Sequence, residues 1–236
     1  MQIFVSSLWT PILTYGLFIL SRSFSPILSA SYKKLSLKEK YNWDSRYGSH
    51  IYAIFVLSCL EISPYEKHTD IFFEKNDTSR WLAEVTIMYF LTDALICIFF
   101  KIAGYEIILH HVFVILGMLS TLTTGYGQLT SQYMLIAEGT TFFVNHRWWL
   151  YKMNMQESIF YKINGLLLLL SWFFFRLVPL YFYYHHIISD FHKYEHAIEY
   201  HYQTVLFGIP VLLGGLNVYW FILILRGALK VFFMKS

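Results

Sequence analysis

The chain has 236 residues, of which 56% are hydrophobic and only 14% charged, with a formal net charge of +3. Soluble domains carry roughly 25% charged residues, and here the apolar residues fall in long blocks. That excludes an ordinary soluble domain and points to an all-α, multi-pass transmembrane bundle. The expected partners are membrane lipids. No nucleic acid, metal or cofactor is expected, and protein partners stay open. Cys59 and Cys97 both lie in apolar segments; they offer neither a disulfide framework nor metal-site spacing and read as buried small hydrophobes.

Seven spans are predicted in chain order: Ile3–Leu20, Gly48–Ile62, Trp81–Phe100, Ile107–Thr123, Leu129–Val144, Ile159–Tyr181 and Thr204–Leu225. The first has no basic leader region and no small-residue cleavage site, so it reads as a retained helix. The second is short for a span, with a start as early as Trp43 as the alternative. Pro11, Pro179 and Pro210 fall in or near spans and predict kinks.

Lys and Arg set the orientation. Arg22, Lys33, Lys34, Lys38, Lys40 and Arg46 lie in the 22–47 loop. Lys101, Arg147, Lys152, Arg226, Lys230 and Lys235 fall on the same side if seven spans alternate. The other side carries Lys67, Lys75, Arg80 and Lys193. This bias predicts a lumenal N-terminus and a cytosolic C-terminus. Asn76-Asp77-Thr78 is a glycosylation sequon on the predicted lumenal side, which makes Asn76 a glycosylation candidate.

Four ionisable residues lie inside apolar segments, where such groups are costly and by default functional. His110 and His111 sit roughly 5 Å inside span four, Asp93 roughly 12 Å inside span three, and Glu138 roughly 10 Å inside span five, at 1.5 Å per residue. They share the cytosolic half and are the candidate catalytic residues. Adjacent helical residues point about 100° apart, so one imidazole is expected to face a cavity and the other to bond a carboxylate or carbonyl on a neighbouring helix. Which does which is left open. Asn145 and Arg147 stand at the cytosolic mouth and Arg176 towards the opposite end of span six; these three are candidates for binding a lipid or acyl-CoA phosphate, the alternative being membrane anchoring and helix pairing. His192-Lys-Tyr-Glu195-His196 matches a zinc-peptidase pattern, but its short loop gives no folded domain around an open metal position. Gly214-Gly215 is expected to permit close helix packing.

Several runs resemble a known family. Trp43-Asp-Ser-Arg46 after a basic loop is similar to the entry of the TLC domain. Asp93, His110-His111, Glu138, Phe143-Val-Asn-His-Arg-Trp148, Phe174-Phe-Arg176 and Asn217-Val-Tyr-Trp220 follow in that family's order. The Phe-Val-Asn-x-Arg-Trp run and Asn-x-x-Trp resemble the branch of TLC-domain-containing protein 4. The resemblance implies a six-helix barrel over residues 35–230, preceded by one extra helix (1–34, with the start of the basic loop) and followed by a cytosolic tail (231–236). It also implies residence in the endoplasmic reticulum. Ceramide synthases of this superfamily use a paired histidine to move an acyl group from acyl-CoA to a sphingoid amine, and His110 and His111 match that pair. The synthases add an aspartate run on the next helix; here no Asp lies between Asp93 and Asp190, and Glu138 occupies the comparable helix. The expected function is therefore membrane lipid (sphingolipid or fatty-acyl) homeostasis through lipid held in the barrel. The alternative is an acyl-CoA-dependent N-acyltransferase of ceramide-synthase type, with acyl-CoA as substrate.

Overall fold

The computed structural model describes residues 5–60, 70, 72–189 and 191–233. Ile3, Ile62, Lys67, Asp190 and Lys235 of the expectations above lie outside the described residues. The described residues form helices α1 (Trp9–Leu28), α2 (Ala30–Lys34), α3 (Leu37–Cys59), α4 (Asp77–Phe99), α5 (Tyr105–Thr124), α6 (Gln128–Met134), α7 (Gly139–Lys152), α8 (Ile159–Trp172), α9 (Val178–Ser189), α10 (Phe191–Ala197) and α11 (Tyr200–Phe233). Six of them close a ring: α3 packs on α4, α4 on α5, α5 on α11, α11 on α8, α8 on α7, and α7 back on α3. Helix α1 stands outside, against α3 and α4. This is the expected barrel with one extra helix.

Among the described residues five helical stretches are long and apolar enough to cross a membrane: α1, α4, α5, the continuous Ile159–Ser189 run, and Tyr202–Lys230 within α11. The other two expected spans differ from expectation. Helix α3 starts eleven residues before Gly48, behind a capping box in which Ser36 and Glu39 satisfy each other's backbone N–H. That start brings Asn42, Asp44 and Arg46 into the helix and lowers its hydropathy. The Leu129–Val144 span is interrupted by a 3-10 turn at Leu135–Glu138, after which α7 runs on to Lys152. Both are walls of the ring, where polar side chains face one another rather than lipid.

A second irregularity lies in span six. A π-helical turn at Phe173–Leu177 joins α8 to α9. Pro179 follows it, and Pro179 has no N–H for the carbonyl one turn back. Such bulges recur at functional sites. The two irregular turns meet: a Cβ on Gly139 would lie 2.8 Å from Phe175 Cδ2, so only glycine permits the approach. Gly214 is similarly close to Leu180, whereas Gly215 faces open space.

Between the helices the packing is aromatic. Tyr52 and Tyr89 stack with centroids 3.6 Å apart, and the Tyr52 hydroxyl donates to Thr86 Oγ1 at 2.9 Å, pinning α3 to α4. Many large apolar side chains point outward, Ile12, Ile27, Phe99 and Ile188 among them. Lipid solvates these as well as a protein core would, so packing and polar contacts hold helices together. One such contact is Asp44, fully buried, which accepts from Ser21 Oγ (2.7 Å) and Tyr32 Oη (2.9 Å) and so ties α1, α2 and α3 together. Cys97 is buried and Cys59 half-buried, and both are free thiols.

Asp44→Ala leaves the buried Tyr32 hydroxyl without its acceptor and Arg22 without the carboxylate 3.8 Å away, while Ser21 keeps Ser25 Oγ at 3.1 Å. It is expected to cost about 1–3 kcal/mol, read as a fall of several degrees in Tm of the detergent-solubilised protein. A pH effect follows from the α3–α7 ion pair. Lys152 Nζ donates to Glu39 Oε1 at 2.6 Å, and this bond, with those from Ser36, holds the Glu39 carboxyl down at about 2. A depressed carboxyl stabilises the fold above its ordinary value of 4.5 and loses that contribution as pH falls towards 2. Glu39→Gln should therefore flatten Tm against pH across that window; an unchanged slope would remove this ion pair from the account.

Candidate functional site

The ring encloses a cavity of about 600 Å³. Its wall takes residues from all six ring helices and both irregular turns: Asp93 from α4, His110 and His111 from α5, Glu138 from the 3-10 turn, Arg176 from the π turn. Arg46, Arg147 and Lys162 enter from α3, α7 and α8. All four residues expected to form a polar centre are thus brought together.

The two histidines divide the work. His111 Nδ1 lies 2.5 Å from the Ile107 carbonyl, one turn back on its own helix. A carbonyl only accepts, so Nδ1 carries the proton and donates. Nε2 lies 2.9 Å from Asp93 Oδ2, a bond between α5 and α4. A neutral ring protonated on Nδ1 has an acceptor at Nε2, so one further proton must lie between His111 and Asp93. Both nitrogens of His111 are therefore occupied. It is the imidazole that bonds a neighbouring helix. Both rings line the cavity, and His110 is the one that no carboxylate holds. Its Nδ1 is buried without a hydrogen-bond partner, and its ring sits between Phe90 (5.7 Å) and Trp220 (5.6 Å). An imidazole with an unengaged nitrogen can accept a proton or attack a carbonyl carbon.

Glu138 is buried, and Thr141 Oγ1 donates to its Oε2 at 3.1 Å. Arg176, expected towards the opposite end of its span, lines the same cavity as Glu138. Its Nε donates to Thr140 Oγ1 (2.8 Å), one Nη to Asn217 Oδ1 (3.0 Å), and its guanidinium lies 4.4 Å from the Trp172 ring centre. The extra residue of the π turn gives that segment the offset that carries Arg176 inward.

The two mouth residues part company. Arg147 lines the cavity, donates to the Tyr161 carbonyl (2.9 Å) and lies 3.7 Å over the Tyr161 ring. Gly165 makes room for it; a Cβ there would meet Arg147 Nη1 at 2.6 Å. Asn145 is turned away from the cavity: its Oδ1 accepts from Arg46 Nη1 at 2.9 Å and its Nδ2 donates to Ser49 Oγ at 2.9 Å. Asn145 is a clamp between α7 and α3. Its partner Arg46, which the sequence offered only as a topology charge and a family motif residue, is a cavity residue. Arg46 is stacked 4.6 Å from the Trp148 ring and bonded to Asn42 Oδ1 at 2.9 Å. The signal in the sequence was the Trp43-x-x-Arg46 spacing. Asn76 is the N-cap of α4, its Oδ1 accepting from Ser79 N–H at 2.7 Å. His192 and Glu195 form an exposed pair at 3.7 Å, and no group of three metal-ligating side chains converges among the described residues.

Charge within the cavity is unbalanced. Arg46, Arg147, Lys162 and Arg176 line it against Asp93 and Glu138, and Asp93 is engaged by His111. Among the described residues none of these four cations has a carboxylate within 4 Å. Arg176 is buried and the other three are half-buried; an excess of cations without close ion pairs suits an anionic guest.

A closed ring of six helices around a cation-lined polar centre, in a chain with five membrane-length helices, defines an integral membrane barrel. A family model for the TLC domain matches residues 10–226. The chain belongs to the TLC-domain family, and the match takes in α1. It is 28% identical over 215 residues to TLC domain-containing protein 4 A of Dictyostelium discoideum, covering 86% of this chain and 81% of that one. It is 27% identical over 216 residues to TLC domain-containing protein 4-B of Xenopus laevis (89% and 82% covered) and 23% identical over 214 residues to Protein CLN8 of Mus musculus (87% and 74%). No solved structure matches the chain.

The unequal histidines give a direct test. Diethylpyrocarbonate should modify His110 in preference to His111 in the wild type, as read by peptide mass spectrometry. Asp93→Ala frees His111 Nε2 and should raise its modification severalfold. Equal labelling of both rings in the wild type would contradict the assignment.

Proposed function

We propose that this protein acts in membrane lipid homeostasis, in the endoplasmic reticulum, by holding a lipid with an anionic head and an acyl chain in its barrel. The observation that carries the reading is the excess of cavity cations without carboxylate partners, beside apolar walls from Leu168, Leu223 and Ile224. Phosphate is the chemistry that Arg and Lys groups in such a site take up best. The lipid is a phospholipid or a fatty acyl-CoA, both of which carry phosphate next to an acyl chain. The positive-inside bias supports a cytosolic C-terminus, with the Arg147 end of the cavity towards the cytosol and Asn76 in the lumen.

One observation favours a second reading, acyl transfer: the His110 ring has a nitrogen without a hydrogen-bond partner, Nδ1, beside the His111–Asp93 pair. In that chemistry a sphingoid amine attacks the thioester carbonyl, a C–N bond forms and the C–S bond breaks. His110 takes the amine proton and returns it to the departing thiolate, so the products are the amide and the free thiol. Arg176 and Thr141, which line the same cavity as His110, are the polar groups available to a substrate carbonyl there.

The experiment is lipid identification by native mass spectrometry on protein purified in mild detergent, followed by incubation with palmitoyl-CoA and sphinganine. Retained lipid with no amide product supports the first reading. Amide formed by the wild type and lost at least 100-fold in His110→Ala, in line with removal of a general base, supports the second. An Arg147→Ala/Lys162→Ala variant should retain several-fold less lipid; equal retention counts against an anionic head at this mouth. A glycosylation shift at Asn76, abolished in Asn76→Gln, checks the orientation.

A further inference from the structure

A second, smaller cavity of about 140 Å³ adjoins the first. Four residues line both: Phe90, His110, Glu138 and Arg176. The polar centre is therefore a collar between two chambers of different character. The large chamber has Arg46, Arg147 and Lys162 in its wall. The small one is walled beyond the collar mainly by apolar groups, including Phe113, Met118, Leu135 and Leu213. Phe72 also lines the small chamber, packed on Tyr194 (4.8 Å) and Phe207 (5.7 Å), and its carbonyl accepts the Gly127 N–H at 2.6 Å.

A guest complementary to this profile has three parts in order: an anionic head in the large chamber, a hydrogen-bonding linkage at the collar, and an apolar end in the small chamber. Gly117 on α5 faces Ile209 on α11 in the wall of the small chamber, and a Cβ on Gly117 would lie 3.3 Å from Ile209 Cγ2. We infer that the small chamber is a measuring compartment for the acyl chain, and that the Gly117–Ile209 pair sets how much chain fits beyond the collar. The inference rests on the lipid-holding reading above and adds the residues that decide which lipid is held. Each methylene that finds apolar contact there is worth about fourfold in affinity. A chain that outgrows the chamber loses that gain and meets close-packed wall instead.

The test uses two substitutions with opposite effects. Gly117→Val narrows the chamber and Ile209→Ala widens it. Each full-length protein is stripped of lipid, offered an equimolar mixture of saturated acyl-CoAs from decanoyl to eicosanoyl, and examined by native mass spectrometry. Gly117→Val should shift the retained distribution to shorter chains, with the wild type's preferred length falling roughly tenfold in occupancy. Ile209→Ala should shift it to longer ones. If the wild type retains acyl-CoA and the well-folded variants keep its distribution, the measuring role is wrong while the lipid-holding reading stands. If Gly117→Val does not fold, Ile209→Ala decides alone: a shift to longer chains supports the proposal and an unchanged distribution overturns it. If the wild type retains no acyl chain from the mixture, the measuring role for acyl-CoA is overturned, and the lipid-holding reading falls with it only if the purified protein also carries no phospholipid.

Discussion

A polar group carried into hydrocarbon has no water to turn to and must be satisfied by another part of the same chain. The ring of helices in this protein is organised by that constraint. His111 on α5 is held to Asp93 on α4. Arg46 on α3 is held to Asn145 on α7, and Asn164 on α8 donates to the Phe143 carbonyl on α7. Arg176 is held to Asn217 on α11. Two of these bonds join consecutive helices and two, Arg46–Asn145 and Arg176–Asn217, join segments distant in sequence, and all four lie around the polar interior. Between helices already surrounded by lipid, apolar contact alone selects no unique arrangement; these bonds do.

The same constraint accounts for the two interruptions of regular helix. A continuous α-helix through residues 129–144 would present its side chains at a fixed angular step. The 3-10 turn at Leu135–Glu138 changes that step just where Glu138 reaches the cavity, and the π turn at Phe173–Leu177 does so for Arg176. The turns pack against each other at Gly139 and Phe175. Irregular backbone at membrane depth is tolerated when protein or a cavity surrounds it, and here both turns stand at the collar between the chambers. The distorted segments and the charged residues they deliver belong to one arrangement.

The polar centre is asymmetric in chemical readiness. His111 has both nitrogens engaged and serves as a strut; His110 is the ring with an open nitrogen. The cations around them exceed the carboxylates, and among the described residues none of the four has a carboxylate within 4 Å. A purely structural set of interhelical contacts has no need of an excess of one sign of charge around a cavity, which is costly to maintain in a membrane. A site for an anionic amphiphile does.

Membrane residence, the helical class and the segments bearing the ionisable residues were determined by the sequence itself, because they depend on local composition and on one-dimensional spacing. Asp93, His110, His111 and Glu138 stood out for the same reason: a charge within an apolar run is conspicuous in any register. What lay beyond it were the relations across the ring. Nothing local distinguishes His110 from its neighbour; the difference arises from Asp93 and the Ile107 carbonyl meeting one ring and not the other. Asn145 and Arg147 look alike as mouth residues until α3 claims the first and the cavity the second. Arg46 in a basic loop and Arg176 near a far membrane face became cavity residues because α3 begins early and a π turn rotates span six. Those outcomes depend on where helices remote in sequence come to lie, and only the closed tertiary ring decides them.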